Sequence, residues 1–511
     1  MLLAAIRCTK IKSSICLKSP SRRYLWVSSR FVTDRAAKEQ ELRIFIVAGE
    51  VSGDTIGSRL MASLKKLSPV PIRFSGVGGN ASVSIRSMMS KQGLKSLFPM
   101  DNIAVMGIWE LLPHLYNFRV KLKETVEAAF MFHPHVVVTV DSKGFSFRLL
   151  KQLRARYNQQ GLDGPVHFHY VAPSFWAWKG GAERLKGLTE FVDHVLCILP
   201  NEEAGCQSKG LAATFVGHPI LEDVSELNMG KEIALHEWKI TGNGEDFRKT
   251  YAIPSGATVI TLLPGSRLQE VTRMLPIFSN TMKLLKDSFP ELVTVIHVAP
   301  NQLVDNFITR AIHKWPVPAI LIPGGIPHLK YDAFNASRVA LCTSGTVAME
   351  LQLARLPCLV TYRAHFLTEW VIRYKAKIPY ISLPNILLDS PVIPEALFQA
   401  CTPTKLASSL KELMNNTVLQ QQQVVAAEKV MELICPSNRT VNNLQQQGMR
   451  WRPPIYTPTG KADNSAEECA RAHPDDSQRC GDNLEDDDDF DDTFKVVNDM
   501  KVSSEMIVVG H

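Results

Sequence analysis

The sequence predicts an α/β protein with two Rossmann-like domains that face a cleft. Near-continuous apolar segments alternate with helix-like segments in both halves of the chain, which is typical of parallel sheets covered on both faces. The chain has 511 residues, too many for one hydrophobic core. A polar stretch with little periodicity, at 221–256, is predicted to connect the two domains.

The amino-terminal domain is predicted over 41–220. Its apolar strands are RIFIVA, HVVVTV, VHFHYVAP and HVLCILP, and each leads into turn residues and a helix-like segment. After the first strand, the glycines of GEVSGD allow a ligand to approach the backbone closely. Glu50, Ser52 and Gly53 are therefore candidate binding residues, with Glu50 placed to bind a sugar hydroxyl. Asp54 is interpreted as a cap of the helix that follows.

Asp141 stands at the end of the strand HVVVTV and is followed by a Ser-Lys-Gly turn. An acid at the carboxyl end of a central strand lies at the mouth of the cleft, where its surroundings can adapt its pKa to general-base work. The alternative is a helix cap, which is common for aspartate at this position. A cation at Arg267 across the cleft favours the base.

The carboxyl-terminal domain is predicted over 257–450. Five strands are expected in the segments TVITLLPG, LVTVIHVAP, AILIPGG, VALCTSG and CLVTYR, and two helices from 404 to about 435 complete the folded part. Each domain therefore brings the carboxyl ends of its strands to a shared cleft.

Two strand–turn–helix units in the second domain predict a nucleotide-diphosphate site. The first is TLLPGSRLQEV at 261–271, where a turn precedes a helix and Arg267 adds a fixed cation. The second is CTSGTVAMELQLARLPCLV at 342–360, where an acid projects from the helix toward the same crevice. Packing alone is the alternative explanation of both turns. The candidate residues besides Arg267 are Gly265, Ser266, Ser344, Gly345, Thr346 and Glu350.

Of four further positions, three leave two interpretations open. The segment WAWKGGAERLK at 176–186 suits sugar or acyl contact, or ordinary packing. His218 is interpreted as structural, and Asn385 either contacts a polar ligand or forms a turn. The amphipathic segment at 105–130 lies against a bilayer or an acyl chain, or packs on the core with a solvated basic face.

Composition excludes several classes of protein. The formal net charge of +7 is spread without a basic patch, so nucleic acid is not an expected partner. The ten cysteines contain no CxxC pair, which is typical of buried thiols in a reducing compartment rather than of disulfides or a zinc site. No DxD pair occurs in the predicted domains, so neither a metal nor another cofactor is expected. No apolar run is long enough for a bilayer span.

The two ends of the chain differ from the domains. The first 33 residues contain seven Lys or Arg, six Ser and no acid, which predicts a transit peptide over 1–40, with a disordered basic tail as the alternative. The short amphipathic start favours a mitochondrion over a chloroplast. The segment 451–511, with the run EDDDDFDD, is predicted to be a disordered acidic tail.

Taken in order, several motifs resemble the lipid-A-disaccharide synthase family. They are VAGEVSGD, GVGG, NIAVMGIWELL, YVAPSFWAW, FVGHP, LLPGSR, SGTVAMELQLARLP and YISLPN. The resemblance runs from Arg43 to Cys435 and implies the two-domain GT-B fold. It also implies transfer of a sugar from UDP-2,3-diacylglucosamine to 2,3-diacylglucosamine 1-phosphate, with release of UDP and formation of a β-1′,6 disaccharide.

The resemblance assigns roles to matching positions. Asp141 would be the general base, Arg267 would hold the diphosphate, and Glu350 would bind the ribose hydroxyls. Amides around Ser344, Gly345 and Thr346 would support the diphosphate, and Asn385 and Glu50 would bind donor or acceptor. Where the family has Asp-x-Pro-Asp-Phe, this chain has Asp141 followed by Ser-Lys-Gly-Phe, so the second acid is absent.

The resemblance also implies peripheral association with a membrane, and a homodimer is one oligomeric state to test. Two other functions compete with the transferase. A UDP-sugar 2-epimerase shares the fold, and a catalytically silent protein could bind nucleotide sugars or lipids.

Overall fold

The computed structural model describes most of the chain between the two termini. The described residues are 35–79, 88–100, 108–227, 238–364 and 366–436. Most of the predicted transit peptide, the whole predicted acidic tail and residues 105–107 of the amphipathic segment lie outside this part.

The first half contains a seven-stranded, fully parallel sheet with the order β3-β2-β1-β4-β5-β6-β7. The four apolar segments predicted as strands are β1, β4, β5 and β6, so these predictions are confirmed. Bounds are β1 Leu42–Ala48, β2 Ile72–Val77, β3 Lys95–Ser96, β4 Val136–Val140, β5 Val166–Tyr170, β6 His194–Cys197 and β7 Ala213–Phe215.

Helices cover both faces of this sheet and form two buried clusters against it. They are α1 at 35–39, α2 Val51–Leu67, α3 Met88–Lys91, α4 Ile108–Phe132, α5 Lys143–Gln159, α6 Pro200–Gln207 and α7 Ile220–Leu227. The fold begins earlier than the predicted residue 41. Ala36 of α1 is 4% exposed and belongs to the first core, and Glu39 pairs with Arg43 and His135.

The second half contains a six-stranded parallel sheet with the order β10-β9-β8-β11-β12-β13. The five predicted strands are β8 to β12, and the structure adds the short β13. Bounds are β8 Thr258–Leu263, β9 Leu292–Val298, β10 Ala319–Pro323, β11 Val339–Thr343, β12 Cys358–Tyr362 and β13 Glu395–Leu397.

The helices of the second half include the two predicted after residue 404. They are α8 Gly244–Thr250, α9 Leu268–Leu285, α10 Gln302–Ile312, α11 Pro327–Ala336, α12 Val347–Ala354, α13 Phe366–Lys375, α14 Leu383–Leu388, α15 Pro403–Asn415 and α16 Thr417–Ile434.

The stretch predicted as an aperiodic connection contains two helices, α7 and α8. Phe247 of α8 is buried in a cluster with Val259 of β8, so the second half takes in residues upstream of the predicted start at 257. Sequence periodicity missed both helices because each has eight residues or fewer. At the other end, α16 returns to the first half, where the amide of His218 donates to the carbonyl of Ile434 at 3.1 Å.

Candidate active site

The candidate residues lie where the strand order of each sheet reverses. In the first sheet this point is between β1 and β4, and in the second it is between β8 and β11. Ligands of open parallel sheets bind outside the carboxyl ends of the strands at such points. Glu50 follows β1, Asp141 follows β4, Arg267 follows β8, and Ser344 follows β11. The topology therefore places the predicted residues of both halves at the positions that favour a ligand.

An ion pair joins the two halves at this point. A terminal guanidinium nitrogen of Arg267 lies 3.5 Å from the Oε2 atom of Glu50, and the two side chains are 41% and 18% exposed. Glu50 is the N-cap residue of α2 and Arg267 is the N-cap residue of α9. Neither side chain caps its own helix. Both side chains therefore extend into the space between the halves.

Asp141 is buried, with 7% exposure, and has a left-handed backbone with φ +50°. Ser142 follows at φ +46°, and such conformations cost non-glycine residues about 1–3 kcal/mol each. Hydrogen bonds hold the turn: the amide of Asp141 donates to Tyr170, and the hydroxyl of Ser146 donates to the carbonyl of Asp141. Ser142 is the N-cap of α5, so the cap interpretation of Asp141 is wrong. Backbone strain that is held in place at a cleft is typical of functional sites.

The charges around Asp141 act on one another. Burial and then the charge of Asp141 raise the pKa of Glu50 to about 7, although Arg267 and Lys143 oppose the rise. Burial lowers the pKa of Lys143, whereas Asp141, Glu202 and Glu50 raise it. Three carboxylates and two cations therefore lie together in this part of the cleft.

Glu202 is a site residue that the sequence did not indicate. It is 2% exposed, and its carboxylate accepts hydrogen bonds from the indole of Trp176 at 3.2 Å and from the amides of Ile198 and Leu199. Burial raises its pKa to about 7. The bond fixes Trp176 of the WAW segment, and Trp178 is itself buried at 4% exposure. The packing interpretation of that segment is therefore confirmed for Trp178.

The first predicted phosphate turn is held by a second missed carboxylate, Glu270. Gly265 has φ +116°, and a Cβ there would lie 2.1 Å from the Oε2 atom of Glu270. That carboxylate accepts from the amide of Ser266 at 3.2 Å and bonds to the side chain of Thr343 on β11. Its spacing of four from Ser266 is the only sequence signal that could have found it. In the first half, Gly53 allows α2 to approach β1 closely, because a Cβ at Gly53 would lie 3.3 Å from the Cβ of Ala48.

The second predicted turn follows β11. The hydroxyl of Ser344 donates to the carbonyl of Ile381 at 3.3 Å, and Gly345 has φ +142°. Thr346 is the N-cap of α12, and Glu350 lies in the first turn of that helix. The carboxylate of Glu350 accepts from the ammonium of Lys330 at 2.8 Å. A ribose contact of Glu350 stays a prediction.

Asn385 is fully buried, and its side chain holds a loop behind Ser344. Its amide nitrogen donates to the carbonyl of Ile393 and to Glu395, and its oxygen accepts from the amide of Ile393. Glu395 also accepts from the amide of Ile381, the residue that receives the Ser344 hydroxyl. Both amide hydrogens of Asn385 are therefore used within the protein, and its predicted ligand contact stays a prediction.

The remaining predicted positions have structural partners. Asp54 does not cap α2, because Glu50 is the N-cap, and its carboxylate instead accepts from the amide of Met88 at 2.9 Å. His218 is 5% exposed and its ring accepts from the amide of Ile220, as the structural interpretation predicts. In the amphipathic segment, Phe118 packs in the core.

Within the described ranges, no group of three or more His, Cys, Asp or Glu side chains is arranged to hold a metal ion. Among the helices of that same part of the chain, none has the length and apolar character needed to cross a membrane.

Solved structures share the fold. A UDP-GlcNAc 2-epimerase from Neisseria meningitidis bound to UDP-GlcNAc matches with a TM-score of 0.51 and 12% identity, and covers 80% of this chain and 99% of its own. The S. aureus MnaA–UDP structure matches with a TM-score of 0.50 and 11% identity, covering 82% of this chain and 100% of its own. At these identities the likeness concerns the fold alone.

Proteins related in sequence have much higher identity to this chain than these solved structures have. A protein of Arabidopsis thaliana named "Probable lipid-A-disaccharide synthase, mitochondrial" is 64% identical over 437 residues, which cover 85% of this chain and 93% of the relative. The lipid-A-disaccharide synthase of Rhodospirillum centenum is 40% identical over 389 residues, covering 76% and 89% respectively. The model of the lipid-A-disaccharide synthetase family matches residues 44–448. The chain therefore belongs to the lipid-A-disaccharide synthase family.

Proposed function

We propose that this protein is an inverting glycosyltransferase of lipid A biosynthesis. It joins UDP-2,3-diacylglucosamine to 2,3-diacylglucosamine 1-phosphate and gives the disaccharide 1-phosphate and UDP. The observation that carries the proposal is that the strained, buried Asp141 acts on Glu50, which pairs with Arg267 where both strand orders reverse. Membership of the family supports the choice of substrates.

Asp141 accepts the proton of the acceptor 6-hydroxyl as that oxygen forms its bond to the anomeric carbon of the donor. The bond between that carbon and the diphosphate oxygen breaks at the same time, and its electron pair leaves with UDP. Arg267 and the amides around Ser344, Gly345 and Thr346 stabilise the charge on the departing diphosphate. Attack from the face opposite UDP inverts an α-linked donor into a β product.

The donor's nucleotide lies against the second half, with the ribose hydroxyls near Glu350. The donor sugar and the acceptor lie between the halves, within reach of Glu50 and Ser52, while Asn385 orders the loop behind Ser344. The site works without a metal ion or other cofactor, because Arg267 and helix amides supply the positive charge. Mitochondrial location is supported by the name of the Arabidopsis relative and by the basic, serine-rich start of the chain.

The test is turnover of both substrates in detergent with EDTA, by wild type and by Asp141→Asn. Loss of a general base lowers the rate about 10²–10⁴-fold, and UDP binding should persist because Arg267 is untouched. The exposed Asp163→Asn is the matched control. Wild-type turnover by Asp141→Asn would remove Asp141 as the base.

The same assay separates the competing functions. Epimerised UDP-sugar without disaccharide would identify an epimerase, and binding of the UDP-sugar by wild type without any product would identify a silent binding protein. The family relatives favour the transferase over both, since the match to epimerases is one of fold alone.

A further inference from the structure

Glu350, the residue predicted to bind the ribose hydroxyls, is held by a lysine from the neighbouring helix. Lys330 lies in the first turn of α11, and its ammonium donates to the Oε1 atom of Glu350 at 2.8 Å. Both side chains are mostly removed from solvent, with 28% exposure for Lys330 and 18% for Glu350. Among the residues that the structure describes, none donates a hydrogen bond to the Oε2 atom of Glu350. The protein therefore uses one carboxylate oxygen and leaves the other to a ligand.

Packing fixes the place of the Lys330 ammonium as well. The ammonium lies 5.9 Å from the ring centroid of Tyr331, and that ring is buried, with 3% exposure. Helix α11 packs against α12, and Tyr331 belongs to the same buried cluster as Ala348 of α12. The contact between the two helices thus determines where the ammonium meets the carboxylate.

The surrounding charges direct Lys330 toward Glu350. Burial lowers the pKa of Lys330, but the negative charges of Glu350 and Asp223 raise it by more, so the net shift is upward and the ammonium stays charged. Asp223, on α7, is already bonded to the guanidinium of Arg59 at 2.5 Å. Lys330 donates to Glu350 instead, so the carboxylate of Glu350 is held by a permanent cation.

We propose that Lys330 is a positioning residue for the ribose of the bound nucleotide. By fixing Glu350, it aims the Oε2 atom at the ribose hydroxyls and makes the site prefer ribonucleotides to nucleotides that lack those hydroxyls. The inference rests on the proposed function, because it takes UDP to lie on the second half with its ribose at Glu350.

The physical reason is the rotational freedom of glutamate. An unrestrained glutamate side chain has several rotamers, and its ordering when a ligand binds lowers the affinity. The hydrogen bond from Lys330 orders the side chain before the nucleotide arrives. A carboxylate that is held in place to accept from hydroxyl groups discriminates strongly against a ligand without them.

The test compares the affinities of UDP and 2′,3′-dideoxy-UDP by titration calorimetry. Wild type should bind UDP at least about tenfold more tightly than the dideoxy nucleotide. Lys330→Met should lower this ratio about fivefold, because the loss of ordering weakens only the contacts to the hydroxyls. Lys330→Arg, which keeps a charged donor, should restore the ratio to within about twofold of wild type.

The ratio separates positioning from other effects of a lysine. Loss of a cation near the diphosphate, or loss of stability, weakens the binding of both nucleotides alike and leaves the ratio unchanged. An unchanged ratio in Lys330→Met would therefore overturn the proposal, and so would equal affinities of wild type for the two nucleotides. Lys314→Met, which removes an exposed lysine of the second half, is the matched control and should keep the wild-type ratio.

A second pair of variants tests whether Lys330 acts through Glu350. In the Glu350→Gln protein, adding Lys330→Met should change the ratio by less than about twofold, because the carboxylate that Lys330 positions is already lost. A further fivefold fall would show that Lys330 acts by another route and would overturn the proposal. This pair decides the matter even if Lys330→Met alone does not fold, since the double variant leaves neither charge without its partner.

Turnover distinguishes this inference from the proposed function. The binding measurements need no acceptor, so a wild type that binds UDP but forms no disaccharide would refute the transfer while the ratio still decides the role of Lys330. A wild type that forms disaccharide, with an unchanged ratio in Lys330→Met, would overturn this inference alone. A wild type that binds neither nucleotide would overturn both.

Discussion

Arg267 is predicted to bind the diphosphate of UDP, yet in this structure it is paired with Glu50 from the other half. The carboxylate and the diphosphate therefore compete for one guanidinium. Replacing Glu50 by Gln keeps the size of the side chain and removes its charge. We expect Glu50→Gln to bind UDP more tightly than wild type at pH 8.

The distance in the structure sets the magnitude. Two unit charges 3.5 Å apart attract by about 5 kcal/mol at an effective dielectric constant of about 20, and by about 1 kcal/mol in bulk water. Since Arg267 is 41% exposed, solvent screening brings the net value close to the lower figure. A loss of about 1 kcal/mol of competition corresponds to about fivefold tighter UDP binding.

The pH dependence of UDP binding tests independently whether the negative charge of Glu50 weakens the affinity of wild type. The pKa of Glu50 is raised to about 7, so at pH 8 the carboxylate is mostly charged and competes. At pH 6 it is mostly protonated, and it no longer holds Arg267. The difference in affinity between wild type and Glu50→Gln should therefore be present at pH 8 and shrink at pH 6. Protonation of UDP itself cancels in this comparison, because both proteins meet the same ligand.

Titration calorimetry with UDP at both pH values measures the effect, with the exposed Glu190→Gln as the control for loss of a negative charge. Equal affinity of wild type and Glu50→Gln at pH 8 would refute the competition. So would a difference that is as large at pH 6 as at pH 8, because the charge of Glu50 could not then be its cause.

Three further predictions follow from packing. Gly265→Ala should abolish UDP binding in the same calorimetry, because the added Cβ would collide with the carboxylate of Glu270. Gly325 also has a positive φ but lies in open space, so Gly325→Ala should lose only about 1 kcal/mol of stability and still bind UDP. Deleting residues 1–40 should lower the free energy of unfolding by about 1–2 kcal/mol relative to deleting 1–34, measured in urea; equal stability would show that α1 does not contribute. Glu202→Ala should cost about 2–4 kcal/mol in the same measurement, since three N–H donors lose their acceptor, and a cost below about 1 kcal/mol would contradict that reason.

The strands that the sequence predicted are those with long apolar runs. β4 is a run of buried residues, and the helix after it follows the 3.6-residue period, so both were recognisable locally. One missed strand, β2, has six residues, and Arg73 and Ser75 interrupt its apolar run. The other missed strands, β3, β7 and β13, have two or three residues each, too few for any period to show. They lie at sheet edges, where position depends on the neighbouring strand.

The predicted site residues were recognisable because each follows a strand and stands in a turn. The hydrogen-bond and ion-pair partners of these residues were not recognisable, because the tertiary fold determines which side chains meet. Nothing near Glu202 in the sequence indicates that it accepts from Trp176, and nothing near Glu395 indicates that it organises the loop behind Ser344. The pairing of Glu50 with Arg267 likewise requires both halves to be folded against each other.

The altered loop after Asp141 is explained by the charges around it. In place of the family's proline and second acid, the chain has Lys143 and a glycine. A fourth carboxylate at this turn would raise the pKa values of Glu50 and Glu202 through like-charge repulsion, on top of the rise that burial causes. The ammonium of Lys143 acts in the opposite direction and lowers the pKa of both Glu50 and Glu202. A general base must be ionised to accept a proton, so this substitution favours the base function of Asp141 rather than removing it.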